Sequence, residues 1–299
     1  MLATMIDAID LHSHTTFSDG SATPAELVER AKANAARAIA ITDHDTVGGL
    51  AEGLAAAERI GLEFVRGIEI SAEYSPGTMH ILGYGIDDDC DALLSKLQEL
   101  RVARDARNPQ IAEKLRSLGV DINYDEVASL AGNEVVGRPH FARILVQKGF
   151  ADSIQDAFNK FLAKGAAAYV EKKRLSPAES IELLHEAGGI AVLAHPYQLK
   201  LPSMKDVLEL IEHLAALGLD GVEAIYSRHS IGEREQYTEV ATQLGLLLTG
   251  GSDYHGTYKP DLDIVTGKGD LHVPYSVLEN IKSRLSDRNP AHGRRSNAG

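Results

Sequence analysis

Histidine and carboxylate side chains stand at the ends of short apolar segments in this chain of 299 residues, which contains twelve histidines. His12 and His14 follow the apolar segment at residues 9–11, and Asp19 comes soon after them. Side chains at positions i and i+2 of an extended segment point to the same side. Two imidazoles placed in this way can bind one cation, because imidazole is a common ligand of Zn and similar metals. The first motif therefore predicts part of a metal site.

The same combination recurs at five further apolar segments. The additional candidates are His44 after residues 38–42, Glu69 at the end of residues 64–70, His80 within residues 79–84, His195 after residues 190–194, and Asp253 and His255 after residues 246–249. A single histidine at such a place is usually a packed or capping side chain, but six repetitions are hard to reconcile with that interpretation. The pattern predicts a metal centre assembled from strand ends, and imidazole with carboxylate ligands suits Mn, Fe or Zn.

The segments that position these residues are short, rich in branched side chains and bounded by Gly, Asp or Pro, as buried strands are. Seven are predicted, at residues 9–11, 38–42, 64–70, 79–84, 190–194, 222–226 and 246–249. Helical periodicity separates most of them, at residues 24–34, 49–60, 177–187, 204–217 and 231–244. Strands that alternate with helices predict an α/β fold with a parallel sheet. We expect a distorted (β/α)7 barrel, in which functional residues gather at the carboxyl ends of the strands.

Residues 87–173 break this alternation, because they contain helical segments and no clear strand. One or two helices are predicted over residues 93–118, with an interruption near Pro109, and another over residues 154–162. Residues 101–174 carry 13 basic and 9 acidic side chains, whereas the whole chain has a net charge of −13. We therefore predict a barrel from residues 1–86 and 174–286, an inserted basic helical cap at residues 87–173 that faces the substrate, and a disordered tail at residues 287–299.

Composition excludes several functions. A net-acidic surface is unsuited to coating duplex DNA. The single cysteine, Cys90, cannot form an intrachain disulfide. The longest apolar runs are far shorter than the roughly 20 residues that span a bilayer. We expect a cytoplasmic protein that has no signal peptide and does not contact a membrane. The sequence does not indicate a protein partner. Aromatic residues are only 5%, which favours a small substrate or a short RNA end over a long stacking groove.

Candidate substrate-binding residues lie in the predicted cap. Arg101, Arg104 and Asn108 share one face of a predicted helix, and Arg107 lies on a neighbouring face. A guanidinium group pairs well with two phosphate oxygens, although a solvated helix surface is an equally good interpretation of these arginines.

Two other motifs add candidates for substrate contact. Gly137 and Pro139 predict a turn that would project Arg138 and His140. Ser227 and His229 follow the sixth predicted strand and are further candidates, together with Tyr226 and Arg228.

Taken together, these motifs resemble those of the polymerase and histidinol phosphatase (PHP) family over residues 9–256. The resemblance is carried by His12-x-His14, Thr42-Asp43-His44, Glu69, His80, His195-Pro196 and Asp253-x-His255. The stretches Gly137-Arg138-Pro139-His140, Gly221 to Tyr226 and Gly250 to Gly256 are similar to those of its 3′,5′-nucleotide bisphosphate phosphatases and 5′-3′ exoribonucleases. The family fold is a distorted seven-stranded β/α barrel.

The resemblance implies two or three divalent metal ions. One would be held by His12, His14, Glu69 and Asp253, a second by Glu69, His80 and His195, and a third by Asp19, His44 and His255. A metal-bound hydroxide would attack phosphorus, with Asp19, His195 and His255 near enough to assist. Asp43 and Asp45 would orient imidazoles from behind, as carboxylates near metal ligands commonly do.

Three functions remain open at this point. The leading hypothesis is metal-dependent hydrolysis of phosphate esters. The expected reaction is removal of the 3′-phosphate from 3′,5′-bisphosphorylated nucleotides. The same hypothesis includes 5′-3′ trimming of short oligoribonucleotides. A histidinol phosphate-type phosphomonoesterase would use the same ligands, but the basic cap favours a substrate with two phosphates. A non-catalytic metal-binding regulatory module is the third hypothesis. It is disfavoured because such a module is expected to lose ligands, and none is lost here.

Overall fold

The computed structural model of the chain describes residues 7–131 and 136–288. The chain divides into two units. The barrel unit comprises Met1–Ser95 and Leu175–Gly299, and the inserted unit is Lys96–Arg174. In the described residues, no helix is both long and apolar enough to cross a bilayer.

The described residues of the barrel unit form one sheet of eight strands. Their bounds are β1 Ala8–Asp10, β2 Ala38–Ile41, β3 Glu63–Ala72, β4 Met79–Tyr84, β5 Ile190–Leu193, β6 Gly221–Tyr226, β7 Leu247–Gly251 and β8 Val273–Pro274. The order across the sheet is β7-β6-β5-β4-β3-β2-β1-β8. All seven predicted strands are present, which confirms the barrel-like α/β fold. The eighth was missed because two residues, one of them proline, are too few to show a strand period.

The helices of the barrel unit pack around this sheet. They are α1 Pro24–Ala33, α2 Leu50–Ile60, α7 Pro177–Glu186, α8 Met204–Ala216, α9 Ile231–Gln243 and α10 Ser276–Arg288. Thr23 caps α1 in a reciprocal capping box with Glu26. The sheet interior is apolar and includes Ile9, Leu82 and Val192. Helix α10 continues to Arg288, two residues into the predicted tail, and residues 289–299 lie outside the described residues.

The strands are not all parallel, contrary to the prediction. β4 is antiparallel to both β3 and β5. The connection between β3 and β4 is too short for a crossover helix, so the chain returns in the opposite direction. Ser71 near the end of β3 therefore pairs with His80 near the start of β4. This reversal brings the amino end of β4 to the functional edge of the sheet.

The gap between the first and seventh strands is closed by the segments that follow them. The amide of Leu11 donates to the carbonyl of Gly250 at 3.3 Å. His14 and Asp253 continue this pairing, because His14 N donates to Tyr254 O and Asp253 N donates to His12 O, both at 2.9 Å. The first and last predicted ligand motifs are thus neighbours.

The inserted unit is helical. Its elements are the end of α3 Asp91–Ser117, α4 Tyr124–Ala131, α5 Arg138–Gln147, α6 Ile154–Ala157 and a π-helical turn Phe158–Leu162. It has its own apolar core, which includes Ile111, Leu115 and Phe141. Helix α3 runs through Pro109 without a break, so the predicted interruption is wrong. Ile111 and Leu115 are buried in the core directly after the proline, and this packing offsets the one missing hydrogen bond.

Candidate metal centre

Imidazole and carboxylate groups from the strand ends converge on one region of the barrel unit. The side chains form four overlapping groups, and within each group the candidate ligand atoms lie within 4.8 Å of one another. The groups are His14, Asp19, His44 and His255; His12, Glu69 and His195; His12, His14 and Asp253; and His44, Glu69 and His80. All nine side chains predicted as metal ligands belong to these groups. The groups do not follow the threefold division that the resemblance implies, because His14 joins Asp19 and His44 joins Glu69. Their role as ligands remains a prediction.

Glu69 is at the centre of the cluster and is fully buried. Its Oε1 lies 2.9 Å from both His80 Nδ1 and His195 Nε2. Its Oε2 lies 3.0 Å from His44 Nδ1 and 3.3 Å from His14 Nε2. A carboxylate whose two oxygens face different imidazoles would be placed to serve as a ligand of more than one metal ion. Burial raises the pKa of Glu69, but His44, His80 and His12 hold that pKa well below its usual value.

Asp253 divides its two oxygens between different partners. Oδ1 faces imidazoles, at 3.3 Å from His14 Nε2 and 3.4 Å from His255 Nδ1. Oδ2 accepts hydrogen bonds from the Tyr226 hydroxyl and from Lys259 Nζ, both at 2.7 Å. The inner oxygen is therefore available for a cation, and the outer oxygen fixes the orientation of the carboxylate.

The backbone is unusual at two of the predicted ligands. Asp253 has a φ of 56° and His195 a φ of 25°, in the left-handed region that L residues seldom adopt. Backbone strain of this kind persists where the surrounding structure holds it, and it concentrates at functional sites.

The cluster has the properties of a site for divalent metal ions. Among the described residues, six of its buried polar atoms form no hydrogen bond, although some of them lie 3.0–3.3 Å from each other. They are His12 Nε2, His14 Nδ1 and Nε2, His44 Nδ1, His195 Nδ1 and Glu69 Oε2. A buried polar atom without a partner costs about 1–3 kcal/mol. Five imidazole nitrogens and one carboxylate oxygen are the donor set that Mn, Fe and Zn accept. The residues present therefore fit divalent metal ions.

The charges within the cluster are distributed unevenly. Burial lowers the pKa of His14, but Asp253 and Glu69 outweigh it and raise this pKa to about 9. Burial lowers the pKa of His44 to about 3, because it outweighs the opposing charges of Glu69 and Asp19. In the absence of metal, the negative charge of the carboxylates is thus compensated by protons on some imidazoles and not on others.

One side of the cluster is open to solvent. The Asp19 side chain is 55% exposed, and those of His44 and His80 are 21% and 14% exposed. His195 and His255, which were predicted to assist catalysis with Asp19, are both buried. Of these three candidates, only Asp19 presents its side chain to solvent.

Glu223 was missed as a functional residue. It is fully buried in β6, its Oε1 lies 2.9 Å from His12 Nδ1, and its Oε2 accepts a hydrogen bond from the backbone amide of His195 at 2.8 Å. A carboxylate behind a metal-binding imidazole fixes the tautomer and orientation of the ring. The signal was present in the sequence, because an acidic residue within an apolar strand requires a partner.

Three aspartates stabilise the loops that carry the cluster. Asp43 accepts hydrogen bonds from the backbone and hydroxyl of Thr15 and from the hydroxyl of Ser18. These hydrogen bonds order the loop of His14 and Asp19. The prediction that Asp43 orients an imidazole is therefore not matched by its hydrogen bonds. Asp45 accepts from the amide and hydroxyl of Ser71. Asp10 accepts from the amides of His12, Ser252 and Val265.

Ser227 and His229, predicted to contact substrate, are both buried. The His229 ring lies 4.8 Å from the ring of Tyr237 and 5.0 Å from that of Tyr226, measured between centroids. Burial lowers the pKa of His229. This packing does not favour the predicted contact of either side chain with a substrate.

Four arginines lie together in the inserted unit, and we call them the arginine cluster: Arg104, Arg107, Arg138 and Arg174. Arg107 is buried, and burial together with the charges of the other three lowers its pKa to about 10. Its Nη2 donates to Asn108 Oδ1 at 3.1 Å, while Asn108 Nδ2 donates to the carbonyl of Val136 at 2.9 Å. Repulsion among like charges favours the binding of an anion.

The Gly137-Arg138-Pro139-His140 motif begins helix α5 and is not an isolated turn. His140 is buried, and its Nδ1 accepts a hydrogen bond from the amide of Gly137 at 3.1 Å. Arg138 Nη1 donates to the carbonyl of Leu162 at 3.1 Å, and its guanidinium lies 5.6 Å from the ring centroid of Tyr169. His140 thus fixes the helix start, which places Arg138 in the arginine cluster.

Comparison with known proteins gives consistent relationships. The PHP domain family matches residues 10–217. The 3′,5′-nucleoside bisphosphate phosphatase of Chromobacterium violaceum is 36% identical over 258 residues, which are 86% of this chain and 90% of that protein. The 5′-3′ exoribonuclease Rnm of Escherichia coli is 38% identical over 248 residues, 82% of this chain and 84% of that protein.

Solved structures show the same relationship. A proposed metal-dependent phosphoesterase from Bifidobacterium adolescentis superposes with a TM-score of 0.77 and 32% identity, over 93% of this chain and 96% of that one. An amidohydrolase from Chromobacterium violaceum, solved with bound sulfate and no metal, gives a TM-score of 0.77 and 34% identity, over 94% of this chain and 96% of that one.

Proposed function

The chain belongs to the PHP domain family, and we propose that it removes the 3′-phosphate from 3′,5′-bisphosphorylated nucleotides. Its family and relatives make it a metal-dependent phosphoesterase. The observation that carries the proposal is the cluster of nine imidazole and carboxylate side chains, in which six buried atoms form no hydrogen bond among the described residues.

We assign two or three divalent ions, of Mn, Fe or Zn, to this cluster. Glu69 would bridge two of them, and Asp253 would bind through Oδ1 while Tyr226 and Lys259 hold Oδ2. When bound, such ions activate water for attack on phosphorus and neutralise the charge of the phosphoryl oxygens. Glu223 orients the ring of His12 from behind.

A phosphoryl group enters this centre from its open side. Asp19, His44 and His80 are the members of the cluster with the most exposed side chains, so the reacting phosphate approaches past them. The other members are buried and hold the floor of the site. This arrangement suits a terminal phosphate on a small molecule or at the end of a chain.

The arginine cluster of the inserted unit is a second group of cations in this chain that suits a phosphate. Guanidinium groups bind a phosphate dianion through paired charge-assisted hydrogen bonds. Burial is the main cause that lowers the pKa of Arg107, and the other three arginines add to it by repulsion, which a bound anion would relieve. The Chromobacterium violaceum relative is named for hydrolysis of a nucleoside bisphosphate.

Trimming of short oligoribonucleotides from the 5′ end is a second candidate function. The relatives from Haemophilus influenzae and Escherichia coli, at 36% and 38% identity, are named 5′-3′ exoribonucleases. The same metal centre would cleave an internucleotide phosphate ester in place of a terminal one, because both reactions place a phosphorus atom before an activated water.

A substrate panel tests the proposal. Purified Mn-loaded protein is assayed with adenosine 3′,5′-bisphosphate, 3′-AMP, 5′-AMP, histidinol phosphate and a short 5′-phosphorylated RNA. We expect the highest kcat/KM with the bisphosphate and 5′-AMP as its product. An Asp253→Ala sample, purified in the same way, identifies any contaminating phosphatase. A preference for histidinol phosphate, or equal rates with the bisphosphate and 5′-AMP, would contradict the proposal.

A further inference from the structure

Lys259 lies at the edge of the candidate metal centre and has no role assigned by the sequence motifs. It follows the short helical turn Gly256–Tyr258, and its ammonium donates a hydrogen bond to Asp253 Oδ2 at 2.7 Å. Among the lysines and arginines in the described part of the barrel unit, it is the one that pairs with a predicted metal ligand. A cation in this position is relevant to phosphate chemistry, because the reacting phosphoryl group is anionic.

The hydrogen bond to Asp253 does not by itself explain a lysine at this position. The Tyr226 hydroxyl donates to the same Oδ2, also at 2.7 Å, and Tyr226 is fully buried. The buried Tyr226 shows that a neutral donor can orient this carboxylate. A carboxylate oxygen accepts two hydrogen bonds, so Lys259 fills the second place and brings a positive charge that a neutral donor would not.

The ammonium group has further capacity for hydrogen bonds. Lysine carries three donor hydrogens, and one of them is used by Asp253. The Lys259 side chain is 28% exposed, whereas Asp253 is nearly closed to solvent. Lys259 thus presents a positive charge to solvent beside Oδ2 of Asp253, while Oδ1 of the same carboxylate faces the imidazoles.

We propose that Lys259 binds an oxygen of the phosphoryl group that is hydrolysed, as a cation supplied by the protein in addition to the metal ions. This inference rests on the proposed function, since it assumes that a phosphate ester occupies the centre. Lys259 then bonds to Asp253 and to the phosphoryl group at once, which fixes the substrate relative to a metal ligand. It contacts the substrate directly, in contrast to Tyr226, which only orients Asp253.

A pair of variants separates binding of phosphate from orientation of Asp253. Lys259→Met and Tyr226→Phe each remove one donor from the same oxygen, and only the first removes a charge. Isothermal titration of each Mn-loaded protein with inorganic phosphate gives its phosphate affinity, and titration of the metal-free proteins with Mn²⁺ gives their metal affinity. We expect Lys259→Met to weaken phosphate binding roughly ten- to a hundredfold, the range for a hydrogen bond to a charged group. Tyr226→Phe should change it by less than about threefold.

The expected metal affinity of Lys259→Met is equal to or higher than that of the wild type, because a positive charge beside a metal ligand is removed. Lys259→Arg should recover part of the phosphate affinity. Unchanged phosphate affinity in Lys259→Met, or an equal loss in Tyr226→Phe, would overturn the inference. So would a tenfold loss of Mn²⁺ affinity in Lys259→Met, which would mean that Lys259 only orients Asp253. Phosphate binding that depends on Lys259 without hydrolysis of any panel substrate would refute the proposed function and would leave only the contact between Lys259 and phosphate.

Discussion

Replacement of Glu223 by glutamine tests whether this residue controls the metal centre from behind. Glu223 holds two predicted ligands, since Oε1 lies 2.9 Å from His12 Nδ1 and Oε2 accepts from the amide of His195 at 2.8 Å. The glutamine side chain has the same shape but only one acceptor oxygen. Its amide group would face one of these N–H groups, so that one of the two hydrogen bonds is lost.

The size of the effect follows from the lost bond. A hydrogen bond to a charged group contributes about 1.5–3 kcal/mol, which corresponds to roughly ten- to a hundredfold in an equilibrium constant. Mutation of the partners of metal-binding imidazoles has effects of the same range, about 10–100-fold. We therefore predict that Glu223→Gln weakens Mn²⁺ binding by this factor and lowers activity at limiting metal.

The assay is a competition between the protein and a chelator of known Mn²⁺ affinity, followed at constant pH. Glu233→Gln is the matched control, because Glu233 belongs to the capping box of α9. The hydrogen bonds that Glu233 accepts come from the amide and the hydroxyl of Ser230, and Ser230 is not one of the nine cluster residues. Substitution of Glu233 should reduce helix stability without changing metal affinity. Equal Mn²⁺ affinity of Glu223→Gln and the wild type would refute the role given to Glu223.

Three further predictions address the centre, the inserted unit and the fold. Asp253→Ala should lower turnover by at least about a thousandfold with a native circular dichroism spectrum; an unfolded variant would instead make Asp253 a folding residue. Arg138→Ala should lower kcat/KM for a bisphosphorylated nucleotide by roughly ten- to a hundredfold and for a monophosphate by much less, whereas the exposed Arg143→Ala on the same helix serves as control; equal losses on both substrates would exclude a contact with the second phosphate. Asp220 is buried, but its hydrogen bond to His185 and other contacts hold its pKa below the usual 3.8, so its ionised form stabilises the fold above that pH. Asp220→Asn should therefore lower Tm at pH 7, and the difference in Tm from the wild type should shrink as the pH falls below about 4. A difference in Tm that stays constant with pH would contradict the assignment.

Short-range patterns in the sequence predicted the main parts of the structure. The seven strands were visible because each is an apolar run bounded by polar or turn residues, as at Ala38–Ile41 in β2. The nine cluster residues were visible because polar side chains at strand ends interrupt those runs. The proline in α3 misled the prediction, because the tertiary packing of Ile111 and Leu115 outweighs a local preference.

Contacts between distant parts of the chain could not be predicted in the same way. Glu223 and His12 are 211 positions apart, so no local pattern connects them. The reversal of β4 depends on the length of one connection, and it decides that His80 lies opposite Ser71. Lys259 lies in a loop without periodicity, and its bond to Asp253 depends on the conformation of the turn Gly256–Tyr258.

Activity measured as a function of bound metal tests the central claim most directly. Protein freed of metal by a chelator, with its metal content verified by mass spectrometry, is titrated with Mn²⁺ while hydrolysis of adenosine 3′,5′-bisphosphate and the bound metal are measured together. We predict no turnover without metal and full turnover once two or three ions are bound per chain. Full turnover in the verified metal-free protein would contradict the claim that this cluster is the metal centre of a phosphoesterase.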